Sequence, residues 1–224
     1  DFENNWSKSL ETSLQNLSIN FNRLEQIRSH YFQNLTSLYT LHASSNKIST
    51  ISKDSFKFLY NLELLDLSSN CIFQLSHGLF DYFINLNRLV LSNNLLKSIQ
   101  FSKRLNQLID LDLSRNLIEK FHLSSILLPE LQYLDISDNK ILKEFTSDNP
   151  KLVYLNLNKN IKLENMKSST NFKDLSSIYL SGLSLNLFSK ENLNLLFSHM
   201  NELDLSFINA QMLNLFQEEN TYLN

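Results

Sequence analysis

Cysteine, glycine and proline are all scarce in this chain of 224 residues, which contains one cysteine, two glycines and two prolines. The single cysteine, Cys71, excludes any disulfide within the chain. Two glycines leave no glycine-rich loop of the kind that cradles phosphate groups. The turns must therefore be made by other residues, and asparagine and aspartate suit them because both tolerate left-handed backbone conformations.

Charge of one sign is not in excess either, since the net charge is −3 and the pI is about 6.0. This balance gives no basis for bulk electrostatic binding to nucleic acid or to an anionic membrane. No apolar run approaches the roughly 18 residues that a membrane span requires. The sequence thus predicts neither a nucleic-acid partner nor a membrane span in this chain.

Catalytic motifs are missing as well. The chain has no G-x-S-x-G motif, no P-loop and no H-E-x-x-H spacing. Its five histidines are scattered along the sequence: His30, His42, His77, His122 and His199. We therefore expect no metal site, no cofactor and no enzymatic activity.

What the chain contains instead is a repeated unit, shown most completely by residues 62–86 (LELLDLSSNCIFQLSHGLFDYFINL). The unit fits the pattern L-x-x-L-x-L-x-x-N-x-L-x-x-L, and a period in the twenties is typical of leucine-rich repeats. The leading residues of about nine units recur every 21 to 25 positions: Leu14, Leu38, Leu62, Leu86, Leu108, Leu131, Leu152, Leu175 and Met200. A turn asparagine follows in step in seven units: Asn22, Asn46, Asn70, Asn94, Asn116, Asn139 and Asn160. The chain resembles leucine-rich-repeat proteins over residues 14–215.

The physical chemistry of the unit agrees with this resemblance. Leu65 and Leu67 alternate with Asp66 and Ser68, as expected of a strand with one buried face. The amide of Asn70 can serve backbone groups that the following turn buries, and can bond to the units on either side to form a ladder. One unit cannot bury its leucine face alone, so neighbouring units must stack.

The predicted fold is an α/β repeat: a right-handed leucine-rich-repeat solenoid with parallel inner strands and with loops and short helices on the convex side. We expect residues 1–224 to form one domain. The units between Leu86 and Leu175 are shorter and leave less room on the convex side. In the last units Leu183 and Ile208 replace the asparagine, and residues 189–200 have the spacing of a short helix that Ser189 caps.

An aromatic column strengthens one part of the resemblance. Phe32, Phe56 and Phe80 each lie 18 residues after a leading leucine. This resembles the "typical" subclass of leucine-rich repeat, known from Toll-like receptor ectodomains, small proteoglycans and arthropod-type extracellular proteins. The resemblance implies a recognition module in an extracellular, cell-surface or secreted innate-immune protein, which binds a protein or another macromolecule and can dimerise through the repeat surface. An intracellular (cytoplasmic) scaffold or regulatory subunit, or a structural spacer within a larger receptor, fits the same repeats.

Extracellular members of the family close their ends with cysteine-rich caps, which this chain does not contain. We therefore expect either a piece of a longer ectodomain or, as the alternative, an intracellular array that has no such caps. Three sequons, at Asn5, Asn16 and Asn34, are candidate glycosylation sites, although three is no more than composition alone would give. Of the three, Asn34 is favoured because it falls on the solvent side of the outer arm, whereas Asn16 falls on the inner strand.

The inner sheet is the expected binding surface. Strands about 4.8 Å apart align their outward residues into columns, and concave surfaces of this kind are what solenoid proteins use for binding. Three outward tyrosines on neighbouring strands form a platform of the side-chain type enriched in binding hot spots, although tyrosine also simply suits strands. Acidic residues nearby suit a basic partner or a cation, although aspartate also recurs at this strand position for other reasons. The candidate binding residues are Tyr133, Tyr154, Tyr179, Asp110, Asp112, Asp135 and Arg88.

Overall fold

The computed structural model describes residues 13–168, 172–183 and 200–206. We number the coils of the chain 1 to 9 by their leading residues, from coil 1 at Leu14 to coil 9 at Met200. The strands in chain order are β1 (Asn16–Ser18), β2 (Gln26–Ile27), β3 (Thr40–His42), β4 (Thr50–Ile51), β5 (Leu64–Asp66), β6 (Arg88–Val90), β7 (Asp110–Asp112), β8 (Lys120–Leu123), β9 (Tyr133–Asp135), β10 (Glu144–Ser147), β11 (Tyr154–Asn156), β12 (Asn165–Ser168), β13 (Ser177–Tyr179) and β14 (Glu202–Asp204).

One strand from each coil joins a nine-stranded parallel sheet, in the order β1-β3-β5-β6-β7-β9-β11-β13-β14. The register advances by one whole coil at every step, so that Leu41, Leu65 and Leu89 lie side by side. The outward residues on each side of these leucines form the columns that the spacing predicts. The leucine-rich-repeat solenoid is thereby confirmed.

The interior of the solenoid is made of the pattern leucines. Leu62, Leu65, Leu67 and Ile72 of coil 3 are all fully buried, and the equivalent residues of the neighbouring coils pack against them in one continuous cluster. Burial of a leucine side chain contributes about 1.5–3 kcal/mol. Because each coil supplies only one thin layer of this core, its stability depends on the coils on either side.

Three residues after the end of each inner strand from β1 to β13, the chain passes through a residue in the left-handed backbone region. This residue stands immediately before the turn asparagine, or before Leu183 in coil 8. The positions are Phe21, Ser45, Ser69, Asn93, Arg115, Asp138, Lys159 and Gly182, with φ between 53° and 77°. The expectation that asparagine and aspartate make these turns is wrong for most coils, since only two of the eight positions carry either residue. In coils 2 to 7 we attribute this conformation to the buried asparagine that follows, rather than to the residue that adopts it.

The turn asparagines hold each coil to the coil before it. In Asn70, Nδ2 donates to the carbonyl oxygens of Leu67 in its own coil and Ala43 in the preceding coil, both at 3.0 Å. Its Oδ1 accepts the N–H of Ile48 in the preceding coil at 3.0 Å. Asn94, Asn116 and Asn139 repeat these contacts. The bonds of each side chain thus reach its own coil and the preceding coil, rather than the coils on both sides.

The convex side differs from the predicted mixture of loops and short helices. Within residues 13–168, 172–183 and 200–206, it consists of turns and short strands, with no helix. Strands β8, β10 and β12 form a three-stranded parallel sheet, and β2 pairs with β4. The helix predicted for residues 189–200 lies almost entirely outside the described residues, as does Ile208. No helix in the described ranges has the length and apolar character needed to cross a membrane.

Phenylalanines stack along the convex interior. Phe32 stacks on Phe56 with ring centroids 6.1 Å apart, and Phe56 contacts Phe83 at 5.5 Å. In the later coils, Phe121 of β8 stacks on Phe145 of β10 at 6.2 Å. The aromatic column predicted in the first three coils is therefore followed by a second stack beneath the outer sheet, where β8 and β10 place these two residues in register.

Candidate functional site

The three candidate tyrosines lie together on the inner sheet. Tyr133 on β9 and Tyr154 on β11 are register partners, and Tyr179 on β13 is paired with Asn156, one column over. The ring centroids of Tyr133 and Tyr154 are 6.2 Å apart, and those of Tyr154 and Tyr179 are 5.2 Å apart. Such spacings are typical of interacting aromatic pairs. The three rings form a continuous strip, which we call the tyrosine row.

The charged candidates divide into two groups. Arg88 on β6 forms an ion pair with its register partner Asp110 on β7, with Nε 3.2 Å from Oδ2. Both side chains are partly exposed, so the pair contributes little to stability. Its consequence is local charge balance: the guanidinium neutralises Asp110, while Asp112 and Asp135 form no ion pair within the described part of the chain.

Asp112 and Asp135 also have a structural role in the turns. The Oδ1 atoms of Asp112 and Asp135 accept the backbone N–H groups of Ser114 and Ser137, each at 2.9 Å. Asp66 and Asp204 do the same for Ser68 and Ser206, which gives a recurrent D-x-S turn that closes the inner strand. This recurrent role accounts for aspartate at these positions without any ligand. The motif is visible in the sequence as repeated LDLS and LDIS.

Burial and mutual repulsion raise the pKa values of two carboxyl groups beside the tyrosine row. Burial raises the pKa of Asp110, an effect that Arg88 opposes and that Asp112 and Asp135 reinforce. Burial also raises the pKa of Asp135, against the hydrogen bonds from Ser137. The same acidic surroundings raise the pKa of Tyr154, where burial is the larger cause and the charge of Asp135 the next. Asp112 and Asp135 therefore lie close enough to affect neighbouring groups, with no cation paired to either within the described ranges.

At the far end of the row, the hydroxyl of Tyr179 donates a hydrogen bond to Glu202 on β14. This bond, with smaller contributions from burial and from the charge of Glu202, raises the pKa of Tyr179 to about 12. Sequence reasoning missed the pairing of these two residues. The register would have revealed it, since Glu202 lies two residues before Asp204, the register partner of Tyr179 on the adjacent strand, and so faces the same side of the sheet.

The glycosylation candidates lie on different faces. Asn16 is exposed on β1, on the concave side, where its Oδ1 accepts a hydrogen bond from Thr40. Asn34 is half-buried in a turn of the convex side, and Asn5 lies outside the described residues. Cys71 is exposed. No group of three histidine, cysteine, aspartate or glutamate side chains within the described ranges is arranged to hold a metal ion.

The parallel coils and the buried asparagines define a leucine-rich-repeat solenoid, as the sequence resemblance predicted. The sequence model of the leucine-rich repeat family matches residues 12–72. No curated protein sequence is significantly similar to the chain.

Solved structures of leucine-rich-repeat proteins share the fold. The leucine-rich repeat domain of APL1B is similar over 89% of this chain, with a TM-score of 0.62 and 18% sequence identity. The LRIM1/APL1C complex is similar over 85% of this chain, with a TM-score of 0.59 and 20% identity. This chain spans 65% of the first structure's chain and 39% of the second's. At these identities the similarity shows the fold.

Proposed function

We propose that this chain is a non-enzymatic recognition module whose concave face binds a protein, and that the tyrosine row is the centre of the contact. The observation that carries the proposal is the row itself. Three adjacent strands present touching tyrosine rings on an open surface, and Tyr133 remains 44% exposed. Tyrosine provides a large, rigid contact with few rotatable bonds, as binding hot spots require.

The charges beside the row favour a basic partner. Asp112 and Asp135 lie on neighbouring strands with no cation paired to either in the described residues, and Asp110 has already been neutralised by Arg88. A lysine or arginine from a partner would relieve this repulsion, and could also lie against a tyrosine face. A segment with basic and apolar side chains is therefore complementary to the surface.

A peptide-display experiment tests the proposal. The chain is immobilised and exposed to a phage-displayed library of random peptides, and enriched peptides are then synthesised and titrated. We expect enrichment of arginine and lysine, and we expect Tyr133→Ala and Tyr154→Ala to weaken binding while the chain stays folded. Tyr60→Ala is the matched control, because Tyr60 is 43% exposed but lies in a convex turn.

Two results would contradict the proposal: enriched peptides without basic residues, or equal affinities for the Tyr133, Tyr154 and Tyr60 variants. The second result would move the contact away from the tyrosine row. The Tyr60 variant removes a tyrosine of similar exposure from another face. Loss of any exposed tyrosine therefore cannot explain weaker binding by the Tyr133 and Tyr154 variants alone.

We further propose that the module works outside the cell or at the cell surface, as part of a receptor or secreted immune protein. The subclass resemblance supports this compartment, with an intracellular scaffold as the alternative, and the sequons at Asn16 and Asn34 are sites at which it can be tested. Secretion from cultured animal cells followed by peptide-N-glycosidase digestion is the test. We expect a shift in electrophoretic mobility that Asn34→Gln removes, and an unchanged mobility would count against glycosylation.

The continuous inner sheet from β1 to β14 supports a single solenoid domain over residues 1–224. Dimerisation through the repeat surface is a separate proposal. Light scattering after size exclusion, over a range of protein concentrations, distinguishes a dimer from a monomer. A monomer at every concentration would remove dimerisation from the proposal and leave the concave contact untouched.

A further inference from the structure

A second surface lies on the outer side of coils 3 to 5. Two cavities of about 580 and 570 Å³ adjoin there and share the lining residues Ser98, Ile99 and Gln100 of coil 4. One extends toward coil 5 and the other toward coil 3. Together they form a groove on the side opposite the tyrosine row, which we call the outer groove.

The outer groove marks an interruption of the outer sheet. Coil 2 contributes β4 and coil 5 contributes β8, but residues 74–75 and 98–101, which stand at the same place in coils 3 and 4, form no strand. Coils 4 and 5 are joined by Leu117 N–H to Leu96 O and by Leu105 N–H to Leu127 O, both at 2.9 Å. The cavity that extends toward coil 5 lies between these two hydrogen bonds.

The interruption leaves one edge of β8 open. On its paired edge, the carbonyl oxygens of Glu119 and Leu123 accept N–H groups from coil 6. Because successive residues of a strand direct their backbone groups to opposite neighbours, Lys120 and His122 direct theirs toward coil 4. No backbone bond joins them to the described residues of that coil. An open strand edge of this kind is a template for another strand.

The side chains that line the outer groove indicate which side chains a bound strand should have. Ile99, Phe101 and Leu127 are only partly buried against the core and form an apolar floor. The rim carries Lys97, Lys120, His77 and His122. Among the described residues, Glu144 is the one acidic residue that lines either cavity, and it is paired with Lys120 at 3.1 Å. This pair offsets the charge of Lys120, so the rim keeps the positive charge of Lys97.

We propose that the outer groove binds an extended segment of another protein, with alternating apolar and acidic side chains, by adding it as a strand along the open edge of β8. The four residues of β8 match a segment of similar length. Main-chain hydrogen bonds to Lys120 and His122 supply the pairing, and alternate side chains enter the apolar floor or face the basic rim. The groove is separate from the concave contact, so the two surfaces can be occupied together.

The probe for this proposal is a fluorescein-labelled peptide of alternating valine and glutamate, titrated by fluorescence anisotropy. A valine–lysine peptide of the same length tests the charge, and a valine–glutamate peptide with N-methyl groups at alternate residues tests the main-chain bonds. We expect binding of the first peptide alone, with slowed hydrogen exchange at the amides of Lys120 and His122. Equal binding of the valine–lysine or N-methylated peptide, or unchanged exchange at both amides, would overturn the proposal.

Charge reversal at the rim supplies a second measurement. Lys120→Glu should weaken binding of the valine–glutamate peptide by about fivefold, the equivalent of about 1 kcal/mol for an exposed ion pair. Lys140→Glu is the matched control: the Lys120 and Lys140 side chains are 69% and 71% exposed and each has one carboxylate neighbour, but Lys140 does not line the groove. Thermal melting shows whether both variants remain folded. Equal affinities for the two variants would also overturn the proposal.

Discussion

The side-chain oxygen of Asn70 accepts the backbone N–H of Ile48, which lies 22 residues earlier in the chain and one coil back in space. The two residues lie in a buried region, and the N–H of Ile48 has no alternative partner shown within the described residues. A bond of this kind couples the end of one strand to the outgoing turn of the preceding coil. The solenoid is therefore held together by polar contacts as well as by its leucines.

The first prediction concerns this contact. Asn70→Ala should destabilise the fold by about 1–3 kcal/mol for the stranded N–H of Ile48 alone, because a buried donor loses its partner. Asn22→Ala is the matched control, since Asn22 is exposed and, among the described residues, its Nδ2 donates to Ile19 and Asn20 of its own coil. Urea denaturation of the two variants is the measurement. Equal midpoints for the two would contradict the structural role of the asparagine.

The second prediction concerns Gly182, which has a φ of 77° and stands where other coils have a left-handed serine, asparagine or lysine. A Cβ added there would meet backbone atoms of Lys159 only at 3.9 and 4.0 Å, so space is available. The loss of stability on substitution therefore depends on how readily the new residue adopts a positive φ. Gly182→Asn should cost little, whereas Gly182→Val should cost more, because β-branched residues are rarely left-handed.

Denaturation midpoints of the Gly182→Asn and Gly182→Val variants test that ranking. Ser181→Val is the control for adding the same side chain at a neighbouring position. A Val variant at position 182 as stable as the Asn variant would show that the turn of coil 8 relaxes away from the left-handed region.

The inner sheet was predictable because its signal repeats across the whole array. A leucine every coil and an asparagine in seven coils fix the period, and the period fixes the register that sets Tyr133 beside Tyr154. The outer sheet was not predicted, because its signal is a single alternation of four residues such as Lys120–Leu123. Without knowledge of the adjoining coils, such a short alternation cannot be distinguished from a loop.

The left-handed turn positions were mispredicted for a related physical reason. Phe21, Arg115 and Lys159 have no intrinsic preference for a positive φ, yet all three adopt it. The neighbouring asparagine imposes that conformation through its hydrogen bonds in three dimensions. For the candidate site, the sequence placed the tyrosines on adjacent strands but left open that Asp112 and Asp135 also close turns.

The third prediction is a dependence of stability on pH. The pKa values of Asp110 and Asp135 are raised above the ordinary 3.8 in the folded chain. As pH rises through these raised values, the folded state binds more protons than the unfolded state, so these two groups make the fold less stable. Asp112→Asn removes a charge that raises both pKa values and keeps an acceptor for Ser114. We expect it to reduce this loss of stability toward neutral pH.

Asp204→Asn provides the contrast for this third prediction. Hydrogen bonds from Ser206 lower the pKa of Asp204, so its contribution to stability is present at neutral pH and is lost as pH falls through the lowered value. The two substitutions, at the same position of the repeat, should therefore change stability at neutral pH in opposite directions. Urea midpoints of both variants, measured from mildly acidic to neutral pH, test this expectation. Changes of the same sign at neutral pH would contradict the opposite pKa shifts.

The fourth prediction concerns Tyr179, whose pKa is raised to about 12 chiefly by its hydrogen bond to Glu202. At neutral pH the phenol is protonated and donates to that carboxylate, so the residue presents its ring rather than its hydroxyl to a partner. Glu202→Gln keeps an acceptor but removes the charge, and should lower the pKa of Tyr179 toward its usual value of 10.0.

Chemical-shift titration of the tyrosine ring carbons measures the pKa of Tyr179. The Tyr179→Phe variant assigns the signal, and Glu130→Gln, on the convex side, is the control. A Tyr179 pKa that stays near 12 in the Glu202 variant would show that the glutamate does not hold this end of the tyrosine row.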